Sequence, residues 1–308
     1  MSAMNIIYEG VDITDAVEVQ KADIIDNAGG IADSIDLCFS DTDGLWSKWK
    51  PQKGHKLNVL ESGFSSGNMY VDSIVQSRGS IRLKGLSLPP GAKTEKSKAW
   101  ESIRFMEMAK NIAYGFTLEA YGVSDYSYSR IDQLSETDYS FLSRRCIMEG
   151  YAAKVCNGKL VIYDERSFEA RASVKTIYQD GFDGDFEFKD VLAGLYSACT
   201  ISCSSMAGTI QKEFRPMTAP AGPTLKPRIY VENLAQAERF SRGLLRAANK
   251  HEKTGRIQVQ LDPELAAGSC VDMNGVGLAD GKYFIEQAIH RLKHKKTVLK
   301  LRKPLEGY

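Results

Sequence analysis

Two pairs of residues have the spacing that zinc ligands use. His290 and His294 are four apart, but they fall where a predicted strand enters a turn, and no glutamate lies between them to act as a base. Cys199 and Cys203 are also four apart, which would place both on one face of a strand. No second pair with metal-ligand spacing accompanies them. We therefore expect no metal site.

An acidic run in the second half of the chain offers carboxylates that could in principle bind Ca²⁺. Its spacing fits no EF-hand, and the glycine that an EF-hand has at its sixth position is missing. The run is better explained as an exposed acidic turn. Its members are Asp180, Asp183, Asp185, Glu187 and Asp190.

The sequence also lacks the features of a nucleotide site and of a cysteine nucleophile. The segment Gly275–Gly277 contains two glycines but lacks the third glycine and the lysine of a phosphate-binding loop. Cys146 lies on an apolar helix face, where a packed thiol is the usual state. We therefore predict no catalytic, cofactor-binding or metal-binding residue, and a protein that is not an enzyme.

One basic cluster is present near the end of the chain. Its simplest interpretation is a solvated hairpin, and the functional alternative is contact with an acidic neighbouring subunit or with passing DNA. Its members are Arg291, Lys293, Lys295, Lys296, Lys300, Arg302 and Lys303.

Length and charge narrow the class of protein. With 308 residues the chain can build two or three modest cores, and 40 basic against 39 acidic residues give no electrostatic case for nucleic-acid binding by the chain as a whole. No signal-peptide pattern or membrane-length apolar run is visible, which predicts assembly in a cytoplasm without a membrane anchor. We expect reduced, structural thiols at all six cysteines: Cys38, Cys146, Cys156, Cys199, Cys203 and Cys270.

The first 88 residues are predicted to form short strands. Ile35, Leu37 and Phe39 alternate with polar residues, as in a strand with one buried face. Turn signals recur every eight to twelve residues, which is typical of a β-barrel or sandwich.

The middle of the chain adds helices and a hairpin. Apolar spacing from Trp100 to Ile112 predicts a helix. A second helix is predicted to start at a Ser135/Asp138 cap pair and to end at Gly150 in the left-handed conformation. Asn157-Gly158, between two apolar runs, is the strongest hairpin signal in the chain.

The remaining segments predict strands, a loop and a final α+β unit. Strands are expected within 166–210, and the proline-containing stretch 206–226 is expected to be irregular. Asn233 and Gln236 form a variant of the helix-capping box ahead of an amphipathic helix. An alternating strand at residues 257–261 and a hairpin around residues 293–296 follow.

In its order of elements the C-terminal stretch resembles phage late control D proteins. These are the baseplate hub proteins of contractile tails, and they are related to the N-terminal part of type VI secretion spike proteins. The matching features are an Ala/Arg-rich helix, Thr254-Gly255 at the entry to a strand, Asp262-Pro263, Ala267-Gly268, and the run "GKYFIEQAIH" that contains His290. The corner at Glu149-Gly150, the hairpin "NGKL" and the early runs "PQKGHKLNV" and "MYVDSI" also match.

The resemblance extends from Ile6 to Leu301 and is strongest at 132–164 and 233–302. It implies an α+β, β-rich fold with two tail-tube-like β-barrel domains and inserted helices. The first barrel would comprise 1–92 plus 166–210, and the second 93–165 plus 229–308, with 211–228 as a proline-rich loop or arm. The chain is short for the family, and its 206–228 segment has no counterpart there.

The same resemblance implies a function in a contractile phage tail or a headless phage-tail-like particle. The chain would be a structural baseplate hub, a homotrimer whose pseudo-hexameric ring joins the six-fold tail tube to the three-fold central spike. Its partners would be the tube protein or tube initiator, the spike and other baseplate proteins, and DNA or a tape-measure protein would pass through the lumen. The alternatives are a tail-tip peptidoglycan hydrolase and a tube or spike subunit of different symmetry.

Overall fold

The computed structural model describes residues 4–61, 64–113, 115–205 and 208–308. Its N-terminal part consists of short strands and one short helix, as the alternating pattern predicts. In chain order these elements are β1 (Asn5–Tyr8), β2 (Val11–Asp12), β3 (Val19–Asn27), β4 (Ser34–Ser40), α1 (Leu45–Trp49), β5 (Lys56–Glu61), β6 (Phe64–Ser65), β7 (Met69–Ser77) and β8 (Ser80–Leu86).

The remaining two thirds of the chain mix helices and strands. The middle contains β9 (Glu95–Arg104), α2 (Phe105–Ile112), β10 (Thr117–Tyr121), β11 (Ser127–Thr137), α3 (Asp138–Glu149), β12 (Tyr151–Cys156), β13 (Lys159–Asp164) and α4 (Glu165–Glu169). The C-terminal part contains β14 (Lys175–Tyr178), β15 (Glu187–Asp190), β16 (Ala198–Ser205), β17 (Gly208–Phe214), β18 (Thr224–Leu225), α5 (Leu234–Asn249), β19 (Lys253–Gln260), β20 (Cys270–Asn274), β21 (Gly281–Arg291) and β22 (Lys296–Arg302). The fold is α+β and rich in β-structure.

One large sheet runs through two β-units of the molecule. Among the described residues fourteen strands belong to it, and its main path is β15-β19-β22-β21-β3-β4-β8-β7-β5-β1-β2. The N-terminal β-unit comprises the strands from β1 to β8, and the C-terminal β-unit comprises β14, β15 and β19 to β22. The antiparallel pairing of β3 with β21, from Gln287 opposite Asn27 to Arg291 opposite Asp23, joins the two units.

The strands within 166–210 correct the predicted domain boundaries. We predicted that they complete the N-terminal barrel, but β14 pairs with β20 and β15 pairs with β19. Since Phe182 also bridges to Val259, one stretch of chain covers both outer edges of the sheet β20-β21-β22-β19. The third of these strands, β16, pairs with β17 and β18. The family resemblance had implied a different partner, and the sequence alone does not decide between them because strand pairing depends on long-range contacts.

Three buried clusters underlie this arrangement. One fills the N-terminal β-unit around Trp46, and a second fills the C-terminal β-unit around Phe284. The third lies between α2, α3, α5 and the small sheets, and it includes Phe141 and Phe240. Residues 93–165 and α5 therefore share a core, whereas β19 to β22 pack around a second core to which Ala152 and Tyr163 also contribute.

The structure confirms most of the local predictions near α3 and α5 and contradicts one. Gly150 ends α3 with φ 80°, and Asn157-Gly158 turns between β12 and β13, as predicted. Asn233 caps α5, its side-chain oxygen accepting a hydrogen bond from the Gln236 amide at 2.9 Å. The predicted Ser135/Asp138 cap is wrong, because Thr137 caps α3 through the Ser140 amide at 3.2 Å.

Two further predictions need correction. Trp100 and Ile103 belong to β9 and not to a helix; both are buried although they are three apart, and Ser102 between them has φ 49°. The predicted loop 211–228 contains the end of β17 and all of β18, which add to β16. Met206, where the irregular stretch was expected to begin, lies outside the described residues.

Candidate functional site

The two histidines with zinc-like spacing do not form a site. His290 is buried on β21, and its Nδ1 lies 3.1 Å from the Thr297 hydroxyl. Burial lowers the pKa of His290, so its neutral form is favoured. His294 lies in the exposed turn that follows. Across the described ranges, no three His, Cys, Asp or Glu residues are grouped as metal ligands would be.

All six cysteines are free thiols. Cys199 and Cys203 lie on β16, where Cys199 is buried in the core that contains Phe141 and Cys203 packs against it. Cys146 and Cys270 are buried as well. Burial raises the pKa of Cys199 to about 11 and that of Cys146 further, so these thiols resist ionisation.

We expect the buried thiols of the native protein to resist a water-soluble thiol reagent at pH 7. Cys146, Cys199 and Cys270 should react at least about 100-fold more slowly than in urea, because the reagent needs an accessible thiolate. Mass spectrometry of the labelled peptides measures each rate. The partly exposed Cys38 and Cys203 are the internal comparison, and rapid native labelling of Cys146 would contradict the assignment.

The acidic run lies on an exposed edge of the C-terminal β-unit. Asp183 forms an ion pair with Lys296 and accepts a hydrogen bond from Gln260 at 3.0 Å. Asp190 lies 3.3 Å from Lys253. Asp180 and Asp185 are exposed and form no ion pair within the described residues. Two carboxylates of the run thus pair with lysines of β19 and β22, and Asp180 and Asp185 are exposed.

The basic cluster is divided between different environments. Lys293 and Lys300 are exposed, but Lys295 forms an ion pair with Glu61 of the N-terminal β-unit. Lys296 pairs with Asp183, and Arg302 is fully buried. A single basic face for a partner is therefore not formed by these residues.

Arg302 belongs to a buried ion network that the sequence did not reveal. Arg302 contacts Glu169, its Nε donates to Glu286 at 2.7 Å, and its Nη2 lies 3.8 Å from Glu165. Arg246 of α5 also contacts Glu169, and its Nε lies 3.3 Å from Glu165. Two arginines and three glutamates thus connect α4, α5, β21 and β22.

The charged form of Arg302 is favoured because three glutamates surround it. Burial alone would lower the pKa of Arg302, but Glu165, Glu169 and Glu286 together raise it above its usual value. One signal for the network existed in the sequence. Glu165 and Glu169 are four apart on a helix, and two like charges at that spacing are unfavourable unless cations lie nearby.

Glu286 should make part of the stability depend on pH. Burial alone would raise the pKa of Glu286, but its hydrogen bond with His251 and the charge of Arg302 lower it to about 2. Because this value is below the unfolded reference of 4.5, the contribution is present above pH 4.5 and is lost as the pH falls towards 2. The stability difference between wild type and Glu286→Gln in urea unfolding should therefore shrink between pH 5 and pH 3. For the exposed Glu187→Gln control we expect only a small stability difference from wild type, and a constant gap for Glu286→Gln would refute the assignment.

Within the described part of the chain, no helix is both long and apolar enough to cross a membrane.

Comparison with known proteins gives structural but no sequence matches. Neither a protein-family model nor a curated protein matches the chain. Among solved structures, the 43 kDa tail protein of prophage MuSo2 from Shewanella oneidensis matches over 99% of both chains, with a TM-score of 0.75 and 13% identity. The tail protein from Neisseria meningitidis MC58 matches over 98% of this chain and 96% of its own, with a TM-score of 0.76 and 16% identity.

A secretion protein also matches. It is a component of the type VI secretion system of E. coli, described as structurally similar to tail proteins of bacteriophage T4. The match covers 95% of this chain and 75% of that one, with a TM-score of 0.56 and 11% identity. The chain therefore has the β-rich α+β fold of phage tail proteins and of a type VI secretion component, which is the fold that its resemblance to late control D proteins implies.

Proposed function

We propose that the chain is a structural protein of a contractile phage tail or a phage-tail-like particle, and specifically its baseplate hub. The observation that carries this proposal is the end-to-end match, over 99% of both chains, with the tail protein of the Shewanella prophage. A match of this extent includes both β-units and the helical part between them. The proposed role therefore concerns the whole chain and not one module.

The joined β-units support a ring of three copies. Each chain carries two β-units in one continuous sheet, linked through β3 and β21. If each unit acts as a tube-like barrel, three chains supply six similar units around one axis. Such a ring matches a six-fold tube on one end and a three-fold spike on the other. Contacts between copies must close, since head-to-tail contacts that do not close produce a filament.

Unpaired strand edges support contacts with neighbouring chains. Among the described strands, β9 and β11 form a ribbon whose only partners are each other, and β2 ends the path of the large sheet. Strand edges that lack partners are sites where another chain can add. We propose that some of these edges meet neighbouring copies, the tube or the spike, and that the ring encloses a lumen for DNA or a tape-measure protein.

Copy number and symmetry test the proposal. Electron cryomicroscopy of the assembled particle should place three copies at one level of the baseplate, with both β-units of each chain at similar radius. Native mass spectrometry of the purified protein should detect the same trimer. Six copies in the particle, or a ring wall built from only one unit of each chain, would contradict it.

A further inference from the structure

A cavity lined by arginines opens beside the buried ion network. Its volume is about 450 Å³, and it lies between α5, the end of α3 and the start of α4. A neighbouring cavity of about 330 Å³ lies next to the C-terminal residues. Arg166 and Arg242 line both cavities.

These arginines differ from the others that line the larger cavity. Arg239 is paired with Glu149 at 2.7 Å, and Arg246 is paired with Glu169. Arg166 and Arg242, in contrast, form no ion pair with any described residue. Arg242 lies over the ring of Phe214 at 4.9 Å, which supports its side chain without neutralising its charge.

Two buried nitrogen atoms of arginines that line this cavity have no hydrogen-bond acceptor among the described residues, and neither atom is accessible from the cavity. They are Nε of Arg242 and Nη1 of Arg246, whose side chain is 98% buried. A buried donor without a partner costs free energy, and an oxyanion is the acceptor that guanidinium groups bind best. Glu149, Asp164 and Glu238 also line the cavity, but Glu149 pairs with Arg239, Glu238 pairs with Lys212, and Asp164 accepts a hydrogen bond from the Ser167 amide. A further carboxylate would therefore be needed to compensate the charges of Arg166 and Arg242.

We propose that this cavity receives the acidic run of a second copy of the chain, through Asp180 and Asp185. Both are exposed and form no ion pair among the described residues; Phe182 lies between them in the sequence, and the half-exposed Phe186 follows Asp185. The run therefore presents free carboxylates together with apolar rings. A carboxylate bound in this cavity would compensate the charges of Arg166 and Arg242.

The acidic run cannot reach the cavity of its own chain. Asp183 pairs with Lys296 at one end of β22, whereas Arg302 at the other end shares Glu169 with Arg246. Lys296 and Arg302 are six positions apart on the extended strand, which is roughly 20 Å. A contact between an acidic run and a cavity at different places on the surface is head-to-tail, the type from which rings are built. The inference thus rests on the proposed trimer and specifies one of its contacts.

A double-mutant cycle on the full-length protein tests the contact. Arg166→Gln/Arg242→Gln and Asp180→Asn/Asp185→Asn should each weaken self-association by about tenfold or more, measured by sedimentation and native mass spectrometry. The quadruple variant should be no weaker than either double variant, because both remove the same interaction. Arg78→Gln and Asp43→Asn, at exposed residues, are the matched controls and should associate as wild type does.

Each alternative result has a distinct meaning. Unchanged unfolding midpoints in urea show that the variants fold, which is expected because the substitutions break no ion pair among the described residues. A trimer insensitive to both double variants, or weakened additively by them, overturns the inference and leaves the proposed function in place. If the arginine variant still trimerises but fails to enter particles, the cavity binds another tail protein and the second-copy assignment is wrong. A wild-type chain that remains monomeric, alone and in the particle, overturns both proposals.

Discussion

Replacing Arg302 by methionine should lower the free energy of unfolding by roughly 3–5 kcal/mol. Arg302 is fully buried and contacts Glu169 and Glu286, with Glu165 at 3.8 Å. Methionine fills most of the same volume but supplies no charge. The glutamates would then lie in a poorly hydrated site with only part of their compensation, and that desolvation cost dominates the loss.

Urea unfolding measures this effect, and Lys300→Met is the matched control. Lys300 lies on the same strand but is exposed and forms no ion pair with a described residue, so its substitution should change stability by less than about 0.5 kcal/mol. Equal slopes against urea concentration would show that both variants unfold from a native state of similar compactness. A loss below about 1 kcal/mol for Arg302→Met would show that the network contributes little to stability.

The second large effect is expected at Gly243, in the middle of α5. A Cβ there would lie within 3.0 Å of three backbone atoms at the end of α3, the carbonyl oxygens of Ile147 and Met148 and the amide nitrogen of Gly150. Alanine normally stabilises a helix interior by about 1 kcal/mol relative to glycine. Here the clash with rigid backbone should reverse the sign, and Gly243→Ala should destabilise the protein by about 2–3 kcal/mol.

Gly181→Ala provides the control for this prediction. A Cβ at Gly181 would meet no atom within 4 Å, and its φ is not in the left-handed region. Its stability should therefore stay within about 0.5 kcal/mol of wild type. Thermal unfolding of both variants measures these stability changes. A Gly243→Ala protein as stable as wild type would mean that α5 and α3 can move apart without a loss of stability.

Sequence reasoning succeeded where a few neighbouring residues decide the backbone. Asn157-Gly158 adopts the positive φ values of a tight hairpin, 45° and 72°, and Gly150 ends a helix. Asn233 caps α5 through a residue three positions later. In each case the interaction spans fewer than five residues, so the pattern that causes it can be read directly.

Sequence-based prediction failed where the same spacing of apolar residues can arise from a helix or from a strand. Trp100 and Ile103 are three apart on a strand in which Ser102 has φ 49°, and helical spacing cannot be distinguished from this by sequence alone. The tail-protein fold itself was recognised because many weak features occur in the right order along the chain. No single feature would have sufficed.

The sequence by itself determined the alternating strands, the helix ends, the hairpin and the absence of zinc-ligand and phosphate-loop patterns. Only the tertiary structure decided that β14 and β15 cover the edges of the C-terminal sheet, that Arg302 is buried, and that Arg166 and Arg242 share a cavity. Arg246 and Glu169 are 77 residues apart in the chain. The sequence alone does not show whether such a charged residue is solvated or buried. Burial and pairing depend on which distant segments pack together, because desolvation arises only once the surrounding chain has excluded water.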